Sequence, residues 1–291
     1  MRAVQILVDG FAISSLYGLA AVGFTLIFGV SGVLNLAHGG IMVVAALVGW
    51  FAAGELGLGT YLGTLVGVAA GLATAYATYV VTVRPIQTSR AISPEETEIF
   101  VLTGTLLWGI MIQVGMAYLF SDNPVTIRPL IAGVVNIFGV RTPINEVMIA
   151  VIAWALIGLL WLLVNRTRTG KALLAAAMNP RGATLLGYEL TRIYLVAWTI
   201  YGVLAGIAGV LLASFLGVST ANTGQLTASA FSIVVLGGLG SVSGSLIAAY
   251  LVGYLETATA YLIAPTLRPI PSLILLVLAV YVRPQGLLGR R

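Results

Sequence analysis

The sequence predicts an all-α polytopic membrane protein, a bundle of about eight to nine transmembrane helices, some of them short or broken. Of its 291 residues, 59% are hydrophobic and only 8% are charged, and the mean hydropathy is +1.06. Soluble domains carry about 25% charged residues. The apolar residues form runs close to the length of about 20 residues that crosses a bilayer. One long polar segment, 165–192, interrupts these runs.

The composition also limits what the chain can bind. There is no cysteine and only one histidine, so disulfides, thiolate metal sites and histidine clusters are excluded. The pI of about 9.6 arises from few charges, so it indicates membrane orientation and not nucleic-acid binding. Arg2 and the apolar run after it resemble a signal peptide, but the run is too long, and we interpret it as a retained first helix. We therefore expect one transmembrane domain over 1–291, surrounded by lipid.

Nine apolar runs account for most of the chain. They cover roughly residues 7–30, 36–53, 59–83, 99–120, 144–164, 194–217, 226–237, 245–264 and 270–283. Two of them, 226–237 and 270–283, are short for a full crossing. Gly237, Gly238 and Gly240 stand at the end of the first of these two. Broken segments are tolerated only where the backbone is buried or lines a wet cavity, so we expect these glycines near a translocation pathway.

The polar segment 165–192 sets the orientation. It holds five basic residues against the single acid Glu189, and these are Arg166, Arg168, Lys171, Arg181 and Arg192. The positive-inside rule places such a loop in the cytoplasm. Counting spans from this loop puts 84–98 inside and 121–143 outside. If 36–53 also crosses, the N-terminus is outside. The terminal Arg283, Arg290 and Arg291 also belong inside, which requires an even number of crossings after Arg192.

Within this loop the sequence predicts a short helix of about two turns. Asn179 can cap its start, Pro180 suits the first helical position, and Gly187 can end it. Ala183, Leu185 and Leu186 are apolar although they lie outside any span, so they need a surface to bury against. Either a partner protein covers them, or the helix lies in the headgroup layer with Arg181 on lipid phosphate.

Polar residues also occur where the first two apolar runs meet. Asn35 and His38 lie at this junction. No second histidine or cysteine is near, so we expect no metal site. We favour the interpretation that these side chains satisfy exposed helix ends over direct contact with a transported solute.

Two further polar side chains fall inside apolar runs. Glu256 is an intramembrane carboxylate, which is by default a candidate for function; the alternative is a structural pair with Arg268 at the external end. Gln113 is a weaker candidate, because an amide can simply hydrogen-bond across helices. Both stay on our list for the pathway.

An enzyme is not indicated. Paired carboxylates, a Ser/His/Asp arrangement and HExxH are missing from the sequence, and Ser243 prevents Gly238 and Gly240 from completing GxGxxG. Gly170 and Lys171 are not followed by Ser or Thr, so no P-loop is present. We expect no catalytic residue and no cofactor in this chain; if transport uses ATP, another chain hydrolyses it.

Taken together, several stretches resemble one family. They are 23–30, 35–39, 179–187, 235–244 and 282–287, and they are similar to the LivH-type permeases of the branched-chain amino-acid ABC transporters, a family that also includes permeases for urea, amides and other amino acids. The resemblance implies a multi-pass protein of the inner or plasma membrane of a bacterium or archaeon. It implies three kinds of protein partner: a second, LivM-like permease, two P-loop ATPase subunits that bind ATP and Mg²⁺, and a periplasmic or lipid-anchored solute-binding protein.

The resemblance also implies a cytoplasmic coupling helix that fits a groove on an ATPase. The residues expected there are Ala177, Asn179, Pro180, Arg181, Gly182, Ala183, Leu185, Leu186 and Gly187. A secondary transporter or channel working alone remains the alternative, suggested by the broken segments and Glu256. A carrier of that kind usually has more intramembrane acids or an unwound ion site.

Overall fold

The computed structural model describes residues 2–120, 122–137, 139–283 and 285–289, and 79% of the chain is helical. The helices are α1 (Arg2–Ser31), α2 (His38–Gly54), α3 (Gly59–Ala77), α4 (Arg84–Thr88), α5 (Pro94–Phe120), α6 (Ile144–Arg166), α7 (Arg168–Met178), α8 (Pro180–Leu185), α9 (Leu190–Phe215), α10 (Thr223–Gly237), α11 (Val242–Leu262) and α12 (Ile270–Val282). A π-helical stretch, Thr78–Val83, joins α3 to α4. The prediction of an all-α polytopic protein is confirmed.

Within the described residues, six helical stretches are long and apolar enough to cross a membrane. They are Arg2–Ser31, Gly59–Thr88, Glu95–Phe120, Ile144–Arg166, Leu190–Phe215 and Pro265–Val282. Helices α2, α10 and α11 lie outside this set. With 17 and 15 residues, α2 and α10 reach only about 26 and 23 Å, less than the hydrocarbon core of about 30 Å. The sequence predicted that α10 is short but not that α2 is. The other run predicted to be short, 270–283, forms α12, and together with the turn before it this run belongs to the six stretches above.

Helix α1 is the centre of the bundle. It packs against α6, α9 and α11, and 83% of its most apolar window is buried, compared with 22% for α5. Large side chains fill the space between α1 and α9, among them Phe24, Trp198 and Tyr201, all fully buried. Helix α5 therefore presents most of its surface to lipid or to another chain.

A stripe of glycines on α3 brings three helix backbones together. Gly63 and Gly67 lie against α2, and Gly71 lies against Gly206 of α9. Small residues at this spacing allow close approach where lipid removes the usual hydrophobic driving force. Gly240 and Gly244 do not form such a stripe, because Gly240 lies in the turn before α11 with φ +81°.

Gly67→Ala should destabilise this packing. A Cβ atom at Gly67 would lie 2.4 Å from the carbonyl oxygen of Ala45 and 2.9 Å from Cα of Gly49, and neither backbone can rotate away. Overpacking of this kind costs about 1–3 kcal/mol. We expect a lower melting temperature in detergent for Gly67→Ala, while Gly115→Ala, with no atom within 4 Å of its added Cβ, should melt like the wild type. Equal melting temperatures would contradict the packing described here.

The segments assigned to the cytoplasm gather at one end of the bundle. Gln87 donates a hydrogen bond to the carbonyl of Ser31 (3.3 Å), and Ser31, Met178 and Leu288 line a common cavity. The tail 285–289 ends here too, since Leu288 N–H donates to the carbonyl of Gly237 (3.0 Å). Pro284, which belongs to the motif 282–287, and the terminal Arg290 and Arg291 lie outside the described residues.

The segments assigned to the outside gather at the opposite end. Val125 pairs with Val218 after α9, and the start of α1 contributes Gln5 and Asp9 to a pocket shared with Leu216. The N-terminus of α1 thus lies beside the C-terminus of α9, as the orientation predicted from the basic loop requires.

The sequence did not predict a β-hairpin or a helix in the first half of the basic loop. Strands β1 (Val134–Ile137) and β2 (Val140–Pro143) form an antiparallel hairpin at the outer end, before α6. Helix α7 occupies the first half of the basic loop. Its signal was present in the sequence, because Ala172, Leu173 and Ala176 recur at helical spacing opposite Arg168 and Lys171.

Candidate functional site

Helix α7 anchors the basic loop to the membrane domain. Thr167 caps it, its hydroxyl accepting from Gly170 N–H (3.0 Å), and Leu173 is 99% buried in the main core. Gly170 lies so close to α6 that a Cβ there would be 2.1 Å from the carbonyl oxygen of Leu163. A displacement of α7 therefore also moves the helices on which it packs.

Helix α8 follows α7 directly and has both ends capped as predicted. Asn179 Oδ1 accepts from Gly182 N–H (3.0 Å), and Pro180 occupies the first turn. At the other end Gly187 has φ +84°, its N–H donates to Thr184 (3.0 Å), and Tyr188 N–H donates to Ala183 (3.1 Å). This is the Schellman arrangement, which satisfies the last carbonyls of the helix. The short helix is thus defined by its own residues.

The apolar residues of this helix divide into two sets. Ala183 is 98% buried within the chain, so it does not offer the free surface that we expected of it. Leu185 is 89% exposed, Leu186 76% and Met178 78%. Ala177 and Arg181 are exposed as well. We name the set Met178, Leu185 and Leu186 the apolar knob. Exposed apolar side chains of this size indicate a contact surface.

A cavity of about 860 Å³ opens beside the knob. Its walls come from the end of α1, from Ala177, Met178 and Pro180, and from the turn 239–243 before α11. Gly240 lies in this wall. Gly237 and Gly238 do not: they pack against Gly244 and the tail 285–289, whose backbone bonds to the end of α10.

Asn35 and His38 lie in a buried network on Tyr201. Asn35 Oδ1 accepts from Ala37 N–H (3.0 Å), which directs its amide nitrogen to donate to Tyr201 Oη (2.9 Å). Tyr201 Oη is then free to donate to His38 Nδ1 (2.8 Å). The ring proton lies on Nε2, which has no partner among the described residues. These contacts hold the break between α1 and α2 and agree with the interpretation of polar junction residues.

The start of α2 also meets the start of α10. Gly39 N–H donates to Thr227 Oγ1 (2.9 Å), and the backbone of Gly39 touches the carbonyl of Thr223. A cleft of about 250 Å³ adjoins this crossing, and Gln113 of α5 lines it together with Thr223 and Thr227. Only the start of α10 contributes a helix N-terminus to this cleft, and most of its other lining residues are apolar, among them Leu36, Ile110 and Phe231.

Tyr201→Phe should destabilise the junction. The change leaves the Asn35 amide and His38 Nδ1 without their shared partner, and a buried unsatisfied group costs about 1–3 kcal/mol. We expect a melting temperature clearly below that of Tyr188→Phe, which changes an exposed tyrosine. If the two variants melt together, the network contributes nothing to stability.

Glu256 is fully buried near the outer half of the bundle. Tyr17 donates to its Oε2 (2.7 Å), and Arg268 Nε lies 3.9 Å from the same oxygen. The latter distance is too long for a hydrogen bond but close enough for charge attraction. Of the two interpretations of Glu256, this geometry corresponds to the pair with Arg268.

The predicted site residues therefore occupy three separate places. The knob and Gly240 lie at the cytoplasmic end, Asn35, His38 and Gln113 lie near the α2–α10 crossing, and Glu256 lies toward the outside. Sequence reasoning missed Tyr201 and Tyr17, although a tyrosine within an apolar run signals a buried hydroxyl that needs a partner.

Comparisons with known proteins agree with this architecture. A family model described as branched-chain amino acid transport system / permease component matches residues 6–280. The chain is 27% identical to the high-affinity branched-chain amino acid transport system permease protein LivH of Salmonella typhimurium, over 99% of this chain and 96% of the relative. It is 28% identical to BraD of Pseudomonas aeruginosa, with the same two coverages.

A solved structure shares the fold. The alignment with a chain of PsaBC from Streptococcus pneumoniae in complex with Fab has a TM-score of 0.53 and 15% identity, over 96% of this chain and 92% of that chain.

The membrane-length helices and the relatives together define a multi-pass α-helical permease of the inner, or plasma, membrane. The chain belongs to the family of branched-chain amino acid transport permease components, whose model matches it over nearly its whole length.

Proposed function

We propose that this chain is one permease subunit of an ATP-driven importer for branched-chain or other hydrophobic amino acids. A solute-binding protein delivers the solute at the outer face, and separate ATPase subunits drive transport. The amino-acid class rests on the names of the relatives LivH and BraD. The observation that supports docking of separate ATPase subunits is the apolar knob, which is exposed at the end assigned to the cytoplasm.

The knob is suited to a protein partner. An amphipathic helix lying on lipid buries its apolar face in the headgroup layer. In this chain one face of α8 already packs on the protein, because its residue Ala183 is buried and the preceding α7 packs on the membrane domain. Leu185 is the last residue of α8, Leu186 follows it, and both side chains are exposed. Apolar anchors of this kind are the residues that dominate protein interfaces.

The coupling follows from the packing. Closure of the ATPases shifts α8, and α8 is joined to α7 through Asn179 alone. Helix α7 lies against α1, α6 and α9, so the shift reaches the bundle core. For this to drive transport, the knob must bind one state of the ATPase better than the other. The permease itself needs no cofactor in this scheme.

A secondary transporter or channel acting alone is the second candidate. Glu256 was its main support, and its charge is compensated by Arg268 at 3.9 Å. A coupling acid that is held by an arginine and a tyrosine is poorly placed to exchange protons or sodium.

The deciding experiment isolates the tagged chain from its native membrane in a gentle detergent and identifies what accompanies it. We expect a second permease and P-loop ATPases, and uptake in the reconstituted complex that needs ATP and survives collapse of the ion gradients. A chain that purifies alone and transports in liposomes without ATP would refute the proposal.

A further inference from the structure

A small charged pocket lies at the outer end of the bundle, far from the apolar knob. Its volume is about 350 Å³, at the lower end of the range of known small-molecule sites. The start of α1, the β2–α6 connection and the ends of α9 and α11 supply its walls. We call it the outer pocket.

Two carboxyl groups meet in the outer pocket. Asp9 and Glu146 are each more than nine-tenths buried and contact one another. Tyr261 donates a hydrogen bond to Asp9. Oε2 of Glu146 has no hydrogen-bond partner among the described residues. Two adjacent buried carboxylates repel unless a cation or a proton lies between them, so this corner of the pocket is suited to a ligand that donates several N–H bonds.

Positive groups line the same pocket. Arg268 contributes its guanidinium, which faces Glu256 at 3.9 Å but whose Nε and Nη2 have no hydrogen-bond partner among the described residues. Arg141 lies exposed at the rim. A guanidinium matches the planar geometry of a carboxylate, and such charge-assisted bonds are the strong ones. The pocket therefore offers partners for both ends of a small zwitterion.

The remaining wall is apolar. Ile13, Phe215 and Leu216 border the pocket beside the charged groups. An apolar wall next to one acidic and one basic corner distinguishes an α-amino acid with an aliphatic side chain from a simple cation or anion.

We propose that the outer pocket binds a free aliphatic α-amino acid, with its ammonium group on Asp9 and Glu146 and its carboxylate on Arg268. A divalent metal is a poor occupant, since no group of three metal-ligating side chains occurs in the described part of the chain. The pocket is separate from the cleft at Gln113, so it is an additional site at the outer face. This inference depends on the charges of the pocket and not on ATPase docking.

The probe is tritiated L-leucine, measured by equilibrium binding to the full chain in its membrane complex, purified without a soluble binding protein. The complex is placed in nanodiscs of phosphatidylcholine and phosphatidylglycerol. We expect saturable binding. We expect 4-methylpentanoate, which lacks the ammonium group, and 3-methylbutylamine, which lacks the carboxylate, to compete at least about tenfold less well, because each loses one charged hydrogen-bonding group.

Three variants assign the site. Glu146→Gln removes a charge and keeps the shape, and should weaken leucine binding by about tenfold to a hundredfold. Ala260→Phe fills the pocket without changing any charge and should have the same effect. Glu55→Gln changes an exposed acid in the α2–α3 loop and should bind like the wild type. If Glu146→Gln fails to fold, Ala260→Phe decides.

Three results would each overturn the proposal: no saturable binding in the millimolar range, wild-type binding by both pocket variants, or equal competition by 3-methylbutylamine. A further arm adds phosphatidylethanolamine to the nanodiscs. Complete displacement of leucine would assign the pocket to a lipid headgroup and refute the amino-acid site. Loss of this site with ATP-dependent uptake intact would leave the proposed function standing. Leucine binding by a chain that purifies alone and transports in liposomes without ATP would refute only the proposed function.

Discussion

Leu185→Asp combined with Leu186→Asp is expected to abolish ATP-dependent uptake. Both side chains are exposed, so the change removes the anchors of the docked helix without opening a cavity in the chain. Loss of an interface anchor costs about 2 kcal/mol or more, which weakens association with the ATPase at least about 30-fold. The measurement is copurification of the ATPase subunits, together with uptake in vesicles.

The matched control is Leu185→Met with Leu186→Met, which keeps an apolar surface of similar size. It should retain most of the association and the uptake. Both variants should melt like the wild type, because neither side chain is packed within the chain. Wild-type uptake by the aspartate variant would show that α8 is not the docking element. Ala183→Trp is a poorer test, because Ala183 is buried and a tryptophan there would disturb the chain itself.

Gly39→Ala should produce the largest loss of stability. A Cβ atom there would lie 2.1 Å from the carbonyl oxygen of Thr223 and 2.8 Å from N of Thr227, both of them backbone atoms of α10. Relief requires the α2–α10 crossing to separate, which also breaks the bond from Gly39 to Thr227. We expect a loss of about 3 kcal/mol, the upper end for overpacking, measured as a drop in melting temperature and in yield of folded protein.

Gly224→Ala provides the comparison at the same crossing. It lies in the first turn of α10, and no atom is within 4 Å of the added Cβ. Alanine favours a helix over glycine by up to about 1 kcal/mol, so this variant should be as stable as the wild type or more so. Similar losses in the two variants would contradict the close crossing of α2 and α10.

Much of the fold could be predicted because its signals are local. The length of an apolar run predicts a span, and the Lys and Arg content of 165–192 predicts the side of the membrane on which it lies. Helix α8 was predicted residue by residue, since Asn179, Pro180 and Gly187 each determine the backbone next to them. The short helix α4, helix α7 and the hairpin were not predicted. The periodicity of α7 was overlooked, and four-residue strands carry little pattern.

The sites were predicted less well, because their contacts join distant parts of the chain. His38 meets Tyr201, which lies 163 residues away, and Tyr17 meets Glu256, which lies 239 residues away. Asp9 of α1 lies beside Glu146 of α6 only because the fold brings these two helices together. The burial of Ala183 likewise depends on how α7 and α8 lie on the bundle.

The sequence by itself determined that this chain is a multi-pass helical protein and where the capped helix α8 begins and ends. Its orientation stays a prediction of the positive-inside rule. The tertiary structure decided which faces of those helices meet. In a membrane, a lipid-facing residue is as apolar as a buried one, so hydrophobic periodicity does not distinguish the two faces. The glycine stripe of α3 is the exception, because close backbone contact demands small residues. The polar pairings at Tyr201, Glu256 and the outer pocket exist only once that packing is in place.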